Sequence, residues 1–256
     1  MNSHVKTLVS AAEVRRELRA RATPQRAAVT ARFFKTGPGE YGEGDVFIGV
    51  SVPDQRIVAR AATAVPLEAL DTLLQSKVHE ERLTALLVLV ARFTRTRDAA
   101  LRERIATLYL RRLEFVNNWD LVDSSAAPIV GGWLEDRDRG LLDELAGSTH
   151  LWSRRVAMIA TYHFIHQGEA DDALRIAARL INDEHDLMHK AVGWMLREVG
   201  KRVGLAPLRR FLQRHAATMP RTALRYSLEK LPPAERKKWM SAGARDAKTS
   251  PTERRR

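Results

Sequence analysis

The chain has 256 residues of which 45% are apolar, enough to bury a core of its own, and its 43 Lys and Arg against 31 Asp and Glu leave a net charge of +12 that suits a polyanionic partner. Cysteine is absent, which excludes disulfides, thiolate nucleophiles and cysteine-held zinc or iron–sulfur centres. No stretch reaches the ~20 apolar residues that span a bilayer, and the N-terminus turns charged before any signal-length apolar run, so the expectation is a cytoplasmic protein without membrane attachment.

The first 53 residues read as N-terminal helices followed by a loop. In Thr36–Pro53, five glycines and two prolines leave no room for a regular helix, and Val46, Phe47 and Ile48 stand out as apolar anchors. The segment serves as a connector or as a DNA-facing loop that ends at Arg56, with the connector favoured because most loops connect. From there on, apolar residues recur at three- and four-residue spacing and strand-like alternation is almost missing. Helices are predicted at about 54–63, 66–75, 78–93, 98–113, 118–134, 138–146, 150–166, 169–181, 186–202, 204–214 and 220–230. Connections as short as Gly147-Ser148-Thr149, Asn182-Asp183-Glu184 and Val203-Gly204 make neighbours antiparallel. The expected architecture is all-α, a HEAT-like or armadillo-like superhelical solenoid of antiparallel helix pairs forming one domain over 1–240. Residues 241–256 read as a basic, disordered tail. Residues 1–185 hold 25 basic and 25 acidic side chains while 186–256 hold 18 and 6, so the whole positive excess lies near the C-terminus.

Three helices carry candidate chemistry. In Asn117-Asn118-Trp119-Asp120-Leu121-Val122-Asp123, Asn117 is expected to cap the helix with Asp120 closing a capping box. Asp123 lies one turn after Trp119 on the same face, a carboxylate beside an indole, while Leu121, Val122, Ile129 and Trp133 form the core set. Such a pair walls a pocket or is simply structural. At Trp152-Ser153-Arg154-Arg155 two arginines open a helix, against its dipole, which an external anion would explain; an ordinary surface pair is the alternative. On the helix 186–202, Lys190, Trp194, Arg197 and Lys201 form one stripe and Leu187, Ala191, Met195 and Val199 another that suits the core. Cations flanking an aromatic fit phosphates beside a sugar or base, and fit equally a solvated basic face.

Other chemistries lack support. His163 and His166 have no carboxylate at ligand spacing, and His185 with His189 lacks a third ligand, so no metal and no cofactor is expected. Phosphate-binding GxxxxGK[ST], GxGxxG and GxSxG patterns are missing.

Together NNWDLVD (117–123), LWSRRVAMIAT (151–161) and KAVGWMLREVGK (190–201), supported by GDVFIGVSVPDQR (44–56) and MPRTALRYSLEKLP (219–232), resemble the AlkD-like family of DNA alkylation repair glycosylases, over nearly the whole chain up to about residue 240. The resemblance implies a HEAT-like repeat enzyme that holds duplex DNA and hydrolyses the N-glycosidic bond of N3- or N7-alkylated purines without flipping the base. It implies Asp123 as the catalytic carboxylate, Trp119 and Trp194 as indoles flanking the sugar, and Arg155 as the adjacent cation. Arg154, Lys190, Arg197, Lys201 and Arg56 would then contact the DNA backbone, and a monomer is expected. Where the family is associated with a DNA-facing tyrosine, this chain has Phe33 and Phe34, and the extension beyond Trp239 lies outside the resemblance. Two rival readings remain: a non-catalytic module for distorted or branched DNA, which needs no Asp123, and a protein-binding scaffold.

Overall fold

The computed structural model describes residues 7–242, so the expected tail lies outside the described residues except for its first two positions. The fold is all-α. Among the described residues the nearest approach to a sheet is one isolated bridge between Val46 and Val78, and no helix is long and apolar enough to cross a membrane. The chain divides into two compact units, residues 7–133 and 134–242.

The first unit contains α1 (Ala11–Arg19), α2 (Pro24–Phe33), α3 (Val52–Ala61), α4 (Leu67–Leu74), α5 (His79–Arg95), α6 (Ala99–Arg111) and α7 (Trp119–Ala126). Its centre is α5, whose apolar positions Leu83, Leu86, Leu89 and Phe93 are buried against α3, α4 and α7. The predicted single helix over 118–134 is interrupted: α7 runs into one π-helical turn at Ala127–Gly131. Pro128 explains the change, because its missing N–H cannot bond the carbonyl four residues back and the ladder widens around it.

The second unit contains α8 (Gly140–Ala146), α9 (Leu151–Ala160), α10 (Tyr162–His166), α11 (Asp171–Leu180), α12 (Asp186–Arg202), α13 (Leu205–His215), α14 (Arg221–Ser227) and α15 (Pro233–Ala242). The predicted 150–166 helix breaks at the buried Thr161, whose hydroxyl donates to the Met158 carbonyl at 2.7 Å. Helix α15 falls outside the predicted set. At the centre, α12 packs on α9, α11, α13 and α14 through Met188, Ala191, Val192, Met195, Leu196 and Val199. Leu187, expected in that core, is only half-buried. Gly193 lets α14 approach closely: a Cβ there would lie 2.5 Å from the Ala223 carbonyl oxygen.

One glycine of the Gly/Pro segment is required twice over. Gly49 has φ of +81°, and a Cβ would stand 2.2 Å from the Thr23 carbonyl oxygen against α2. Gly49→Ala is therefore expected to destabilise the first unit by about 1–3 kcal/mol, measured by urea unfolding. A change below about 0.5 kcal/mol would show that the loop can move away from α2.

Candidate active site

The site grows out of the first turn of α5. His79, Glu80, Glu81 and Arg82 are consecutive, charged or chargeable, and each no more than 2% exposed. Charges this deep persist only when paired, and together they fasten α1, the 45–50 loop and α7 to α5. Glu81 accepts from Arg15 Nε of α1 at 2.9 Å. The Glu80 carboxylate receives the backbone N–H groups of Ile48, Gly49 and Val50, the Gly49 bond being 2.8 Å. Arg82 donates to Asp45 Oδ1 at 2.7 Å and to the Ser76 carbonyl at 2.8 Å. His79 sits between two carboxylates, with Nδ1 3.0 Å from Asp45 Oδ2 and Nε2 2.8 Å from Asp120 Oδ2. Burial works against ionisation of Asp45, but the His79 hydrogen bond and the Arg82 charge prevail and hold its carboxyl below the usual range. Burial likewise opposes the His79 cation, but the charge and hydrogen bond of Asp120, with Asp45, raise its pKa above the ordinary imidazole value.

Asp120 ties this cluster to α7. The helix cap is Asn118 rather than the expected Asn117: its extended backbone (φ −150°, ψ 156°) is N-cap geometry, and Oδ1 accepts from the Trp119 N–H at 2.9 Å. With Asn118 as cap, Asp120 stands at the second helical position rather than the third and closes no capping box; its Oδ1 accepts from the Leu121 N–H and its Oδ2 faces His79. Trp119 lies at the end of a stack of rings. Its indole is 5.2 Å from Phe34 and nearly parallel, Phe34 is 5.1 Å from Phe47, and Phe47 is 4.6 Å from His79. Phe33, 65% exposed, meets Trp119 edge-on at 6.0 Å. One turn along, the half-buried Asp123 stands near enough to the buried Tyr109 for its charge to add to burial in pushing that phenol's pKa up.

Trp119, Asp123 and Arg56 line one cavity of about 610 Å³, with Phe33, Phe34, Phe47, Val50, Val52, Leu83 and Leu87 supplying apolar wall. The Gly/Pro segment is thus both a connector and a wall of the cavity. An apolar hollow with a carboxylate beside an indole face suits a cationic, partly apolar guest. Among the described residues no set of three His, Asp or Glu is arranged to hold a metal ion.

The remaining candidates lie in the second unit. Arg155, expected at the surface, is 4% exposed and donates to the Leu187 carbonyl at 2.6 Å, joining α9 to α12. Arg154 already has an anion, Asp183, with Nε 2.6 Å from Oδ2. On α12, Lys190 pairs with Asp186 at 2.7 Å and Arg197 with Glu229, while Trp194 is half-buried 5.9 Å from Tyr162 and Lys201 is exposed. Three cations expected to meet phosphates thus hold carboxylates; the Lys190–Asp186 pair lies within one helical turn, but those of Arg154 and Arg197 are invisible in sequence because Asp183 and Glu229 are distant in the chain. His163 has a carboxylate within reach after all, Glu135 at 3.5 Å.

Sequence reading missed Asp45, His79, Glu80 and Arg82. Acidic residues in a first helical turn read as dipole partners on the surface, and only the accumulation of four adjacent polar residues before the apolar face of α5 signals otherwise.

A family model described as DNA alkylation repair enzyme matches residues 14–231, and the chain belongs to that family. A solved structure described as a predicted DNA alkylation repair enzyme from Enterococcus faecalis has the same fold, with a TM-score of 0.63 at 18% identity over 83% of this chain and 98% of that one. No curated protein matches.

Glu80→Gln would replace charge-assisted bonds to three loop amides with weaker neutral ones. We expect a loss of about 1–3 kcal/mol and faster hydrogen exchange at Ile48, Gly49 and Val50. Unchanged exchange there would show that the loop is held by its apolar anchors alone.

Proposed function

We propose that the chain is a monofunctional DNA glycosylase for cationic alkylpurines. In this reading it is a HEAT-like solenoid of antiparallel helix pairs over about residues 1–240, it acts as a monomer on duplex DNA, and it releases 3-methyladenine and 7-methylguanine without flipping the base. The observation that carries the reading is Asp123 beside the Trp119 indole in a largely apolar cavity, in a chain of the DNA alkylation repair family.

The chemistry is consistent with a single carboxylate. An N3- or N7-alkylated purine already bears a positive charge, so it leaves as a neutral base once the N-glycosidic electron pair moves to the ring nitrogen, and no general acid is needed. The charge passes to the deoxyribose, where Asp123 stabilises it and receives the proton of the water that attacks C1′, leaving an abasic site. Trp119 turns its negative face to the same cation, a contribution of about 0.5–2 kcal/mol. By the family resemblance Trp194 acts likewise and Arg155 is the adjacent cation. Arg56 and Lys201 are assigned to the DNA backbone. Arg154, Lys190 and Arg197 join them only by exchanging Asp183, Asp186 and Glu229 for phosphates, so their individual contributions to affinity are smaller.

The test is base release from methylated duplex DNA. Wild type should free both purines, and Asp123→Asn should be slower by ~10²–10³-fold with duplex binding retained. Trp119→Ala should cost about 2- to 30-fold, the equivalent of one cation–π contact. Absence of release from wild type, with salt-sensitive DNA binding, would instead favour a non-catalytic module for distorted DNA.

A further inference from the structure

Both ring nitrogens of His79 face carboxylate oxygens, Asp45 Oδ2 at 3.0 Å and Asp120 Oδ2 at 2.8 Å, while the Arg82 Nη2 donor stands farther from Nδ1 at 3.5 Å. Ionised carboxylates only accept hydrogen bonds, and a neutral imidazole has one donor, so one of these contacts would set a lone pair against an oxygen unless the ring carries both protons. Charge leads to the same result. The groups around His79 are Asp45 from the loop, Asp120 from α7 and Arg82 from α5 itself, while the residue that follows α2 presents the uncharged Phe34 ring. Its neighbours Glu80 and Glu81 are turned to the loop amides and to Arg15. Two carboxylates and one guanidinium leave one negative charge in a nearly dry site, and a second proton on His79 cancels it. Phe47, stacked at 4.6 Å, offers its face to that cation.

We propose that His79 is a positioning residue: as an imidazolium clamped between Asp45 and Asp120 it fixes the first turn of α7, and so the placement of Trp119 and Asp123 in the cavity. Asp120 is the residue after Trp119 and is three before Asp123, so the clamp acts within one helical turn of both. The ring stack from His79 through Phe47 and Phe34 to Trp119 is a second route to the same indole. The part of this inference that concerns reactivity rests on the proposed role of Asp123. Because the folded state raises the His79 pKa, the stabilisation is complete below the ordinary imidazole value of about 6.5 and is lost as pH climbs through the raised one.

The experiment is imidazole ¹⁵N NMR on the full chain, followed through a pH titration with the Trp119 indole N–H as reporter of position. At pH 7.5 His79 should show two protonated nitrogens, and the Trp119 signal should move with the His79 titration. In Asp120→Asn the titration should shift to lower pH and carry the Trp119 change with it. A single protonated nitrogen at pH 7.5, or a Trp119 signal indifferent to His79, overturns the proposal; neither readout needs activity, so absence of base release would count against the glycosylase reading alone. With release present, single-turnover cleavage should fall along the same alkaline limb. His79→Gln should be about 10- to 100-fold slower at pH 7 and lack that limb; if it folds poorly, the wild-type titration and Asp120→Asn decide. A limb at the same pH in wild type and Asp120→Asn contradicts it.

Discussion

Four charged or chargeable side chains buried in one helical turn govern the first unit. His79, Glu80, Glu81 and Arg82 open α5, and each is paired with a partner from somewhere else: the 48–50 amides, α1, Asp45, the Ser76 carbonyl or α7. A buried ion that loses its partner costs about 3–5 kcal/mol, whereas an apolar contact that shifts by an ångström costs far less. Apolar packing around α5 supplies most of the driving force for folding, but it would tolerate several settings of the loop and of α7. The charged turn discriminates among those settings, and the cavity walls and the orientation of Trp119 follow from it.

Much of the fold is legible in the sequence because helical periodicity survives in every long element. The predicted 186–202 matches α12 to the residue, since an apolar stripe and the Val203-Gly204 stop both mark it. The adjacency of Trp119 and Asp123 is equally legible, as it needs only a four-residue spacing. What escapes is tertiary. Nothing in 117–123 says that Asn118 rather than Asn117 caps, because that depends on where the chain turns extended, and nothing local says that His79 claims Asp120. Likewise Arg154 and Arg197 read as a basic surface until Asp183 and Glu229 are placed beside them. Pro128 announces a disturbance in the sequence, but whether the helix stops or widens into a π turn depends on the packing around it.

The proposed substrate class and the lining of the cavity are mutually consistent in electrostatic terms. In the proposed reaction a cationic lesion needs no general acid, so Asp123 beside aromatic faces suffices; Asp120 and Glu80, which also border the cavity, are held by His79 and by the loop amides. Phe33 and Phe34 follow the same pattern: Phe34 is buried in the ring stack and Phe33 adds an exposed apolar edge, so neither asks for a hydroxyl partner. In the proposed reaction the site works by shape and by stabilising positive charge.

The most direct test is the affinity of wild type and Asp123→Asn for two duplexes, one carrying a cationic pyrrolidine in place of the deoxyribose and one carrying its neutral tetrahydrofuran counterpart. The account requires wild type to prefer the cationic duplex by at least ~10²-fold, as transition-state mimics do, and Asp123→Asn to lose most of that preference. Equal affinity of wild type for both duplexes, or a preference that survives Asp123→Asn intact, would contradict the assignment of Asp123 to the developing cation.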